Sequence, residues 1–176
     1  ILVANGVYLE GENGVRLSGS PVAIRENTAQ SLNADGGRVN ANALAINGRG
    51  EVQGTPITLS DNRAENVTSE GKEGTFAGHA VIDRGVGYAS ANAVQVMGAL
   101  RAGSLQLMGN TALRVTAEKG VALANSFMVD NDGSAQGVHA TIAGNSADEV
   151  RTRDGKTALA NSVLDEGRID GSQLSI

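Results

Sequence analysis

Residues 99–129 read Ala99-Leu-Arg-Ala-Gly-Ser-Leu105-Gln-Leu107-Met-Gly-Asn110-Thr-Ala-Leu113-Arg-Val115-Thr-Ala-Glu-Lys-Gly120-Val121-Ala-Leu123-Ala-Asn125-Ser-Phe127-Met-Val129. Apolar residues recur here at every second position, in the pairs Leu105/Leu107, Leu113/Val115, Val121/Leu123 and Phe127/Val129, with Gly, Asn and Ser between the runs. A strand sends successive side chains to opposite faces, so each apolar-x-apolar triplet is expected to point one pair inward, and the small polar residues after it turn the chain. The stretch predicts a row of very short strands.

The rest of the chain follows the same texture. Val7-x-Leu9, Val15-x-Leu17, Val22-x-Ile24, Leu32-x-Ala34, Val39-x-Ala41, Leu44-x-Ile46, Ile57-x-Leu59 and Val94-x-Val96 are strand-like and separated by Gly, Asn, Asp or Ser. A helical reading fails, because the apolar period is two and Gly recurs along the chain, each costing a helix about 1 kcal/mol. Aromatics make up 2% of the chain and Trp is absent, so the interior must be filled by Val, Leu, Ile and Ala, which suits a narrow interior of stacked, like-on-like side chains. The 24 Gly and only two Pro supply corners without a collagen period.

Two internal matches point to repetition. Val7–Val22 aligns with Leu113–Met128 at an offset of 106, and Ala122-Leu-Ala-Asn-Ser126 recurs as Ala158-Leu-Ala-Asn-Ser162 at an offset of 36. Repeats of this kind mean a solenoid. The expected fold is all-β, a right-handed parallel β-solenoid forming one domain over residues 1–176, with about 20 residues per coil and eight or nine coils in a rod on the order of 40 Å long. A twisted antiparallel roll is the other architecture the pattern allows. The polar stretch Asp61–Gly74 is expected to be a solvated loop, or rungs whose outward positions are all charged, and it and the second polar block Ser146–Lys156 are expected to project surface loops as the main points of contact. Both ends, Ile1-Leu2-Val3 and Leu174-Ser175-Ile176, carry apolar strand texture, and the chain opens without Met, which reads as a segment of a longer rod or a subunit stacking end to end.

The charge of −5 argues against a phosphate-backbone partner, and no apolar run is long enough for a membrane span. Without Cys there are no disulfides or thiol nucleophiles. Val129-Asp130-Asn131-Asp132-Gly133 offers hard oxygen ligands followed by Gly, so Asp130, Asn131 and Asp132 are the one calcium candidate, but the bidentate Glu of a calcium loop is missing and the same residues favour a tight turn. His79 and His139 lack companion ligands. The doublets Asp148-Glu149 and Asp165-Glu166 are expected to point to opposite faces of a strand and so not to form a glycosidase pair. No nucleophile elbow, phosphate loop or dinucleotide fingerprint is present, and Asn66-Val67-Thr68 is a formal sequon only. No catalytic residue and no cofactor is therefore expected. The recurrent Asn13, Asn27, Asn47, Asn110, Asn125, Asn145 and Asn161 are expected to stack and hydrogen-bond along the rod.

Gly103-Ser-Leu-Gln-Leu107, Leu113-Arg-Val-Thr-Ala117 and Gly120-Val-Ala-Leu123 resemble the β-helical repeats of filamentous-haemagglutinin-type proteins, large bacterial exoproteins of the two-partner secretion pathway. That resemblance implies a secreted or cell-surface adhesive rod whose partners are host-cell or matrix surfaces, or further copies of itself, and which is not an enzyme. Leu107-Met-Gly-Asn110 with Ala117, and Phe76-Ala-Gly-His-Ala-Val81, are similar to the OstA-type β-roll of periplasmic lipopolysaccharide-transport proteins. This second resemblance implies an open, greasy interior that conducts lipid and polymerises end to end. A polysaccharide-acting enzyme on the same scaffold is the third alternative.

Overall fold

The computed structural model describes residues 1–10, 14–34, 37–70, 87–118, 120–153 and 157–176. Its strands are all parallel and wind into a β-solenoid of about 4 turns. The first rung runs through β1 (Leu2–Ala4), β2 (Val7–Leu9), β3 (Arg16–Ser18), β4 (Val22–Arg25) and β5 (Thr28–Ala34). The second repeats it as β6 (Arg38–Ala41), β7 (Leu44–Ile46), β8 (Glu51–Gln53), β9 (Ile57–Ser60) and β10 (Arg63–Ser69). In the third, β11 (Gly87–Ala91) and β12 (Val94–Val96) lead to a fused β13 (Ala99–Met108) and then β14 (Thr111–Ala117). The fourth has β15 (Gly120–Ala124), β16 (Phe127–Val129), β17 (Ser134–Ala143) and β18 (Ser146–Thr152). The fifth has β19 (Thr157–Ala160), β20 (Val163–Asp165), β21 (Arg168–Asp170) and β22 (Gln173–Ser175).

Four sheets result. Sheet A is β1-β6-β11-β15-β19, and sheet B is β2-β7-β12-β16-β20. Sheet C collects β3-β8-β13-β17-β21, with β4, β9 and β22 pairing onto its second half, and sheet D is β5-β10-β14-β18. Equivalent asparagines of successive rungs, Asn5, Asn42, Asn92, Asn125 and Asn161, are 37, 50, 33 and 36 residues apart. The expected coil of about 20 residues was too short, because consecutive apolar triplets are successive sides of one rung, not successive rungs. Five rungs at the usual spacing span only on the order of 20 Å. The offset of 36 is a true coil, since Ala122, Leu123 and Ala124 sit over Ala158, Leu159 and Ala160. The offset of 106 is not, because Val7 lies in the column of Leu44, Val94 and Phe127, and Leu113 belongs to sheet D.

The interior has two halves. Between sheets B and C it is filled by large side chains, among them Leu44, Ile46, Ile57, Leu59, Leu105, Leu107 and Phe127. Between sheets A and D it is narrow and filled by Ala41, Ala64, Ala89, Ala112, Ala122 and Ala124 with Val39, Val67 and Val115. Two triplets of the 99–129 stretch therefore break the expected pattern. In β14 a left-handed residue, Arg114 at φ 55°, resets the alternation, so that Ala112 and Val115 face inward and Leu113 does not. In β15 Ala122 and Ala124 face the main interior, while Val121 and Leu123 pack with Met128 in a separate cluster on the other side of sheets A and B. Both faces of these two sheets are buried in the second to fourth rungs.

Corners repeat down the axis. Between sheets A and B every rung turns on an asparagine at φ 49–51°, namely Asn5, Asn42, Asn92, Asn125 and Asn161. The Nδ2 of each of the first four donates to the Oδ1 of the next asparagine at 2.9–3.1 Å and also reaches the carbonyl of Thr28, Arg63, Thr111 or Ser146. Asn tolerates the left-handed region, and its amide occupies both backbone and side-chain partners there. A second ladder, Asn27-Asn62-Asn110-Asn145, marks the corner between sheets C and D, with backbone N–H groups donating to the next Oδ1 at 2.9–3.1 Å. The expected stacking thus holds for Asn27, Asn110, Asn125, Asn145 and Asn161, which divide between two ladders. Asn47 belongs to neither, and Asn13 lies outside the described residues. Gly98, Gly133 and Gly167 form a third column, where a Cβ would lie 2.0–2.3 Å from a carbonyl oxygen of an earlier turn or strand.

Neither polar stretch is a loop where it is described. Residues 63–69 are β10 and residues 146–152 are β18, both in sheet D; 71–74 and 154–156 lie outside the described residues. Their charges occupy outward and left-handed positions of strands whose inward residues, Ala64 and Val67, or Ala147 and Val150, pack on the A/D interior. Polarity there reflects the solvent face of a sheet.

Candidate functional site

Asp130 caps its own turn, its Oδ1 accepting the Asn131 N–H at 2.7 Å and its carbonyl accepting the Gly133 N–H at 2.6 Å, while Asn131 and Asp132 point to solvent. This is a tight turn joining sheets B and C. Among the described residues no group of three or more His, Cys, Asp or Glu is placed to hold a metal ion. His139 is exposed on β17, its Nδ1 3.1 Å from Gln173 Oε1, and His79 lies outside the described residues. Asp148 and Glu149 are both exposed, since Glu149 at φ 55° breaks the alternation expected to separate them. Asp165 and Glu166 are exposed where sheet B turns to sheet C. Asn66 of the sequon accepts a 2.6 Å bond from Arg114 Nε.

What the structure brings together lies instead on the outer faces of sheets A and B, which turn toward each other across the asparagine corner. In the fourth and fifth rungs this angle is apolar, with Val121, Leu123, Met128, Leu159 and Leu164. In the first three it is polar. Asn47 Nδ2 donates to the Tyr8 hydroxyl, and Arg38 Nη1 donates to Asn47 Oδ1 at 2.8 Å. The Arg38 guanidinium lies 4.9 Å from the centroid of the Tyr88 ring, and the Tyr88 hydroxyl donates to Asp130 Oδ2 at 3.2 Å. A single connected strip, Tyr8–Asn47–Arg38–Tyr88–Asp130, thus ties four rungs along the axis.

Beside it, Gln95 Nε2 donates to Ser90 Oγ at 2.5 Å, and Ser90 sits over Asn40 in sheet A. Asn40 is 1% exposed and neither end of its amide has a hydrogen-bond partner, nor does Gln95 Oε1. Burial pushes the Tyr8 phenol up to about 12, a rise that the Arg38 charge opposes and Glu10 reinforces. Chain comparison adds no relative. No family model, curated protein or solved structure matches this chain.

Chemically, the strip is a hydrogen-bonding and cation–π tie. It holds one carboxylate, one guanidinium and two phenols, each with a partner in the strip. The sequence reading missed it because Arg38 and Tyr88 share a column only after the longer second coil is counted. One signal was available: Asn40 and Ser90 are each flanked on both sides by residues that alternate into the core, Val39/Ala41 and Ala89/Ala91. Elsewhere, an open depression on the outer face of sheet C is lined by Arg25, Thr58, Ser60, Gln106 and Met108. It encloses nothing.

Proposed function

We propose that the chain is a rod segment of a secreted or surface-exposed bacterial protein, which acts by presenting its outer faces for adhesive contact with a cell or matrix and performs no chemical step. The observation that carries this reading is the closed interior. Leu44, Leu59, Leu105, Leu107, Phe127 and Val129 are all 0% exposed, so side chains fill the space a conduit would leave open. That weighs against the lipid-conducting alternative, whose trough needs an accessible apolar lining. The outer faces of sheets C and D carry mixed-sign side chains with cross-rung ion pairs such as Arg101 Nε–Glu51 Oε1 at 3.0 Å and Arg153 Nη1–Glu118 Oε1 at 3.1 Å. Such a face suits contact by shape and polar complementarity more than non-specific electrostatic capture.

Beads coated with the purified chain test the adhesive reading against epithelial cells and against immobilised matrix proteins. Adherence above albumin-coated beads on at least one surface supports it, and indifference to all of them overturns it.

A second reading, stacking of copies end to end, is favoured by a separate observation. The inward columns stay apolar to the outermost strands, with Leu2, Val7 and Leu17 at one end and Val163, Ile169 and Leu174 at the other. Light scattering over a wide concentration range, with micrographs of the concentrated sample, distinguishes a growing fibre from a monomer.

A further inference from the structure

The outer faces of sheets A and B meet once per rung across the asparagine corner. On sheet B the outward column beside the corner runs Tyr8, Ala45, Gln95, Met128 and Leu164. On sheet A the matching column runs Val3, Asn40, Ser90, Leu123 and Leu159. In the fourth and fifth rungs both columns carry large apolar side chains, which pack together. The second rung departs from this. Ala45 brings a single methyl where the other rungs bring Tyr, Gln, Met or Leu, and the residue it meets across the corner is Asn40.

Three buried polar atoms gather there without a hydrogen-bond partner among the described residues: Asn40 Oδ1, Asn40 Nδ2 and Gln95 Oε1. Asn40 and Gln95 are 1% and 2% exposed. Gln95 is anchored by its other end, Nε2 donating to Ser90 Oγ at 2.5 Å, and Ser90 neighbours Asn40 in sheet A. Leaving a buried polar group unpaired costs about 1–3 kcal/mol. Leu123 and Met128, in the same two columns, show that an apolar pair is compatible with this corner. The polar set therefore calls for an occupant.

The surrounding contacts limit what that occupant is. On the same rung as Asn40 and Ala45, Arg38 Nη1 donates to Asn47 Oδ1 at 2.8 Å, which joins sheet A to sheet B farther from the corner. Asn47 Nδ2 in turn donates to the Tyr8 hydroxyl, and Arg38 and Asn47 are both buried. Anything held beneath this tie must be small. It must also serve one donor and two acceptors, none of them charged. Water meets both requirements, and buried waters typically make about three hydrogen bonds.

We propose that the angle beside Ala45 is an internal hydration site, where on the order of one or two water molecules accept from Asn40 Nδ2 and donate to Asn40 Oδ1 and Gln95 Oε1. The Arg38–Asn47 bond is its cover. Water then links the second and third rungs on this side of the corner, as side-chain carbon links the fourth and fifth.

The test is magnetisation transfer from water in the isotope-labelled whole chain, read at the Ala45 methyl, whose protons do not exchange with solvent. A cross-peak to the water resonance is expected, with opposite signs in laboratory-frame and rotating-frame experiments, as for water that tumbles with the chain. The Ser90 and Tyr8 hydroxyls exchange with solvent and can relay the same signal, so the measurement is repeated on Ser90→Ala and Tyr8→Phe. The cross-peak is expected to persist in both and to vanish in Asn40→Leu, which places apolar bulk at this level as Leu123 does in the fourth rung. No cross-peak in the unaltered chain, its loss with either hydroxyl, or its persistence in Asn40→Leu overturns the proposal. The measurement on the unaltered chain keeps it falsifiable if a variant does not fold.

Discussion

Asn92 illustrates how one residue type serves two purposes at a corner. It holds φ 51°, accepts from Asn42 at 3.0 Å, and donates to Asn125 at 2.9 Å and to the Thr111 carbonyl at 3.0 Å. Glycine at this site keeps the dihedral and loses the bonds, whereas alanine loses both. Asn92→Gly is expected to cost about 2–3 kcal/mol and Asn92→Ala about 1 kcal/mol more, read from denaturant midpoints. Equal costs would show that the amide alone matters. Ala102 is the complementary case. It is the one non-glycine in the corner column Gly19, Gly54, Ala102, Gly137 and Gly171, at φ 44°. Relief of that strain exceeds the extra chain entropy of glycine, so Ala102→Gly should stabilise by about 0.5 kcal/mol. Tyr8 supplies the pH-dependent residue. Its phenol stays protonated in the folded chain up to about 12 and ionises near 10 when unfolded. Between these values the unfolded state binds fewer protons, so stability present below pH 10 is lost as pH rises toward 12. Urea midpoints of the wild type should fall more steeply than those of Tyr8→Phe across that window. Parallel slopes would mean that the burial of Tyr8 carries no linkage.

At the level of elements, strand content was legible and coil length was not. Period-two alternation identifies Leu44–Ile46, Leu105–Leu107 and Phe127–Val129 because their partners across the interior are equally apolar. It misassigns Val121 and Leu123, since a strand buried on both faces is apolar on both, and nothing local says that the alanines face the main interior. Alternation also fails in sheet D, where Ser31, Asn66, Arg114 and Glu149 each reset the phase in mid-strand. The polar strip was illegible for a different reason: Arg38 and Tyr88 come together only through a coil of unusual length, and their contact is a property of register. The division of the interior into an alanine half and a leucine half has a mechanical consequence. Ala112 is 0% exposed and belongs to one buried cluster with Ala41, Ala89 and Ala122. Ala112→Leu is expected to destabilise by about 1–3 kcal/mol through overpacking. Thermal denaturation measures this, and a neutral result would mean that sheets A and D can separate without loss.

For the molecule as a whole, each rung contacts only the one above and the one below. Stability in such an array is close to a sum of rung terms and neighbour terms, so rungs held from both sides should open last. The third rung has a complete set of strands above and below it, and both asparagine ladders pass through it. The fifth is paired on one side and lacks a sheet D strand among its described residues. The first is likewise paired on one side. Hydrogen exchange under conditions where opening is the pre-equilibrium should therefore be slowest in β12, β13 and β14, faster in β17 and β7, and fastest in β22 and β1. Asn92→Gly would lower protection most within the third rung and its two neighbours and least in β1, because its lost bonds run only to Asn42 and Asn125 among the side chains. A single opening free energy across all five rungs would refute this nearest-neighbour picture. In that case the axial strip Tyr8–Asn47–Arg38–Tyr88–Asp130, which crosses four rungs without a break, would be the feature that makes the rod open as one unit. Arg38→Met, which keeps the aliphatic stem and removes the link between Asn47 and Tyr88, would then be expected to restore a gradient.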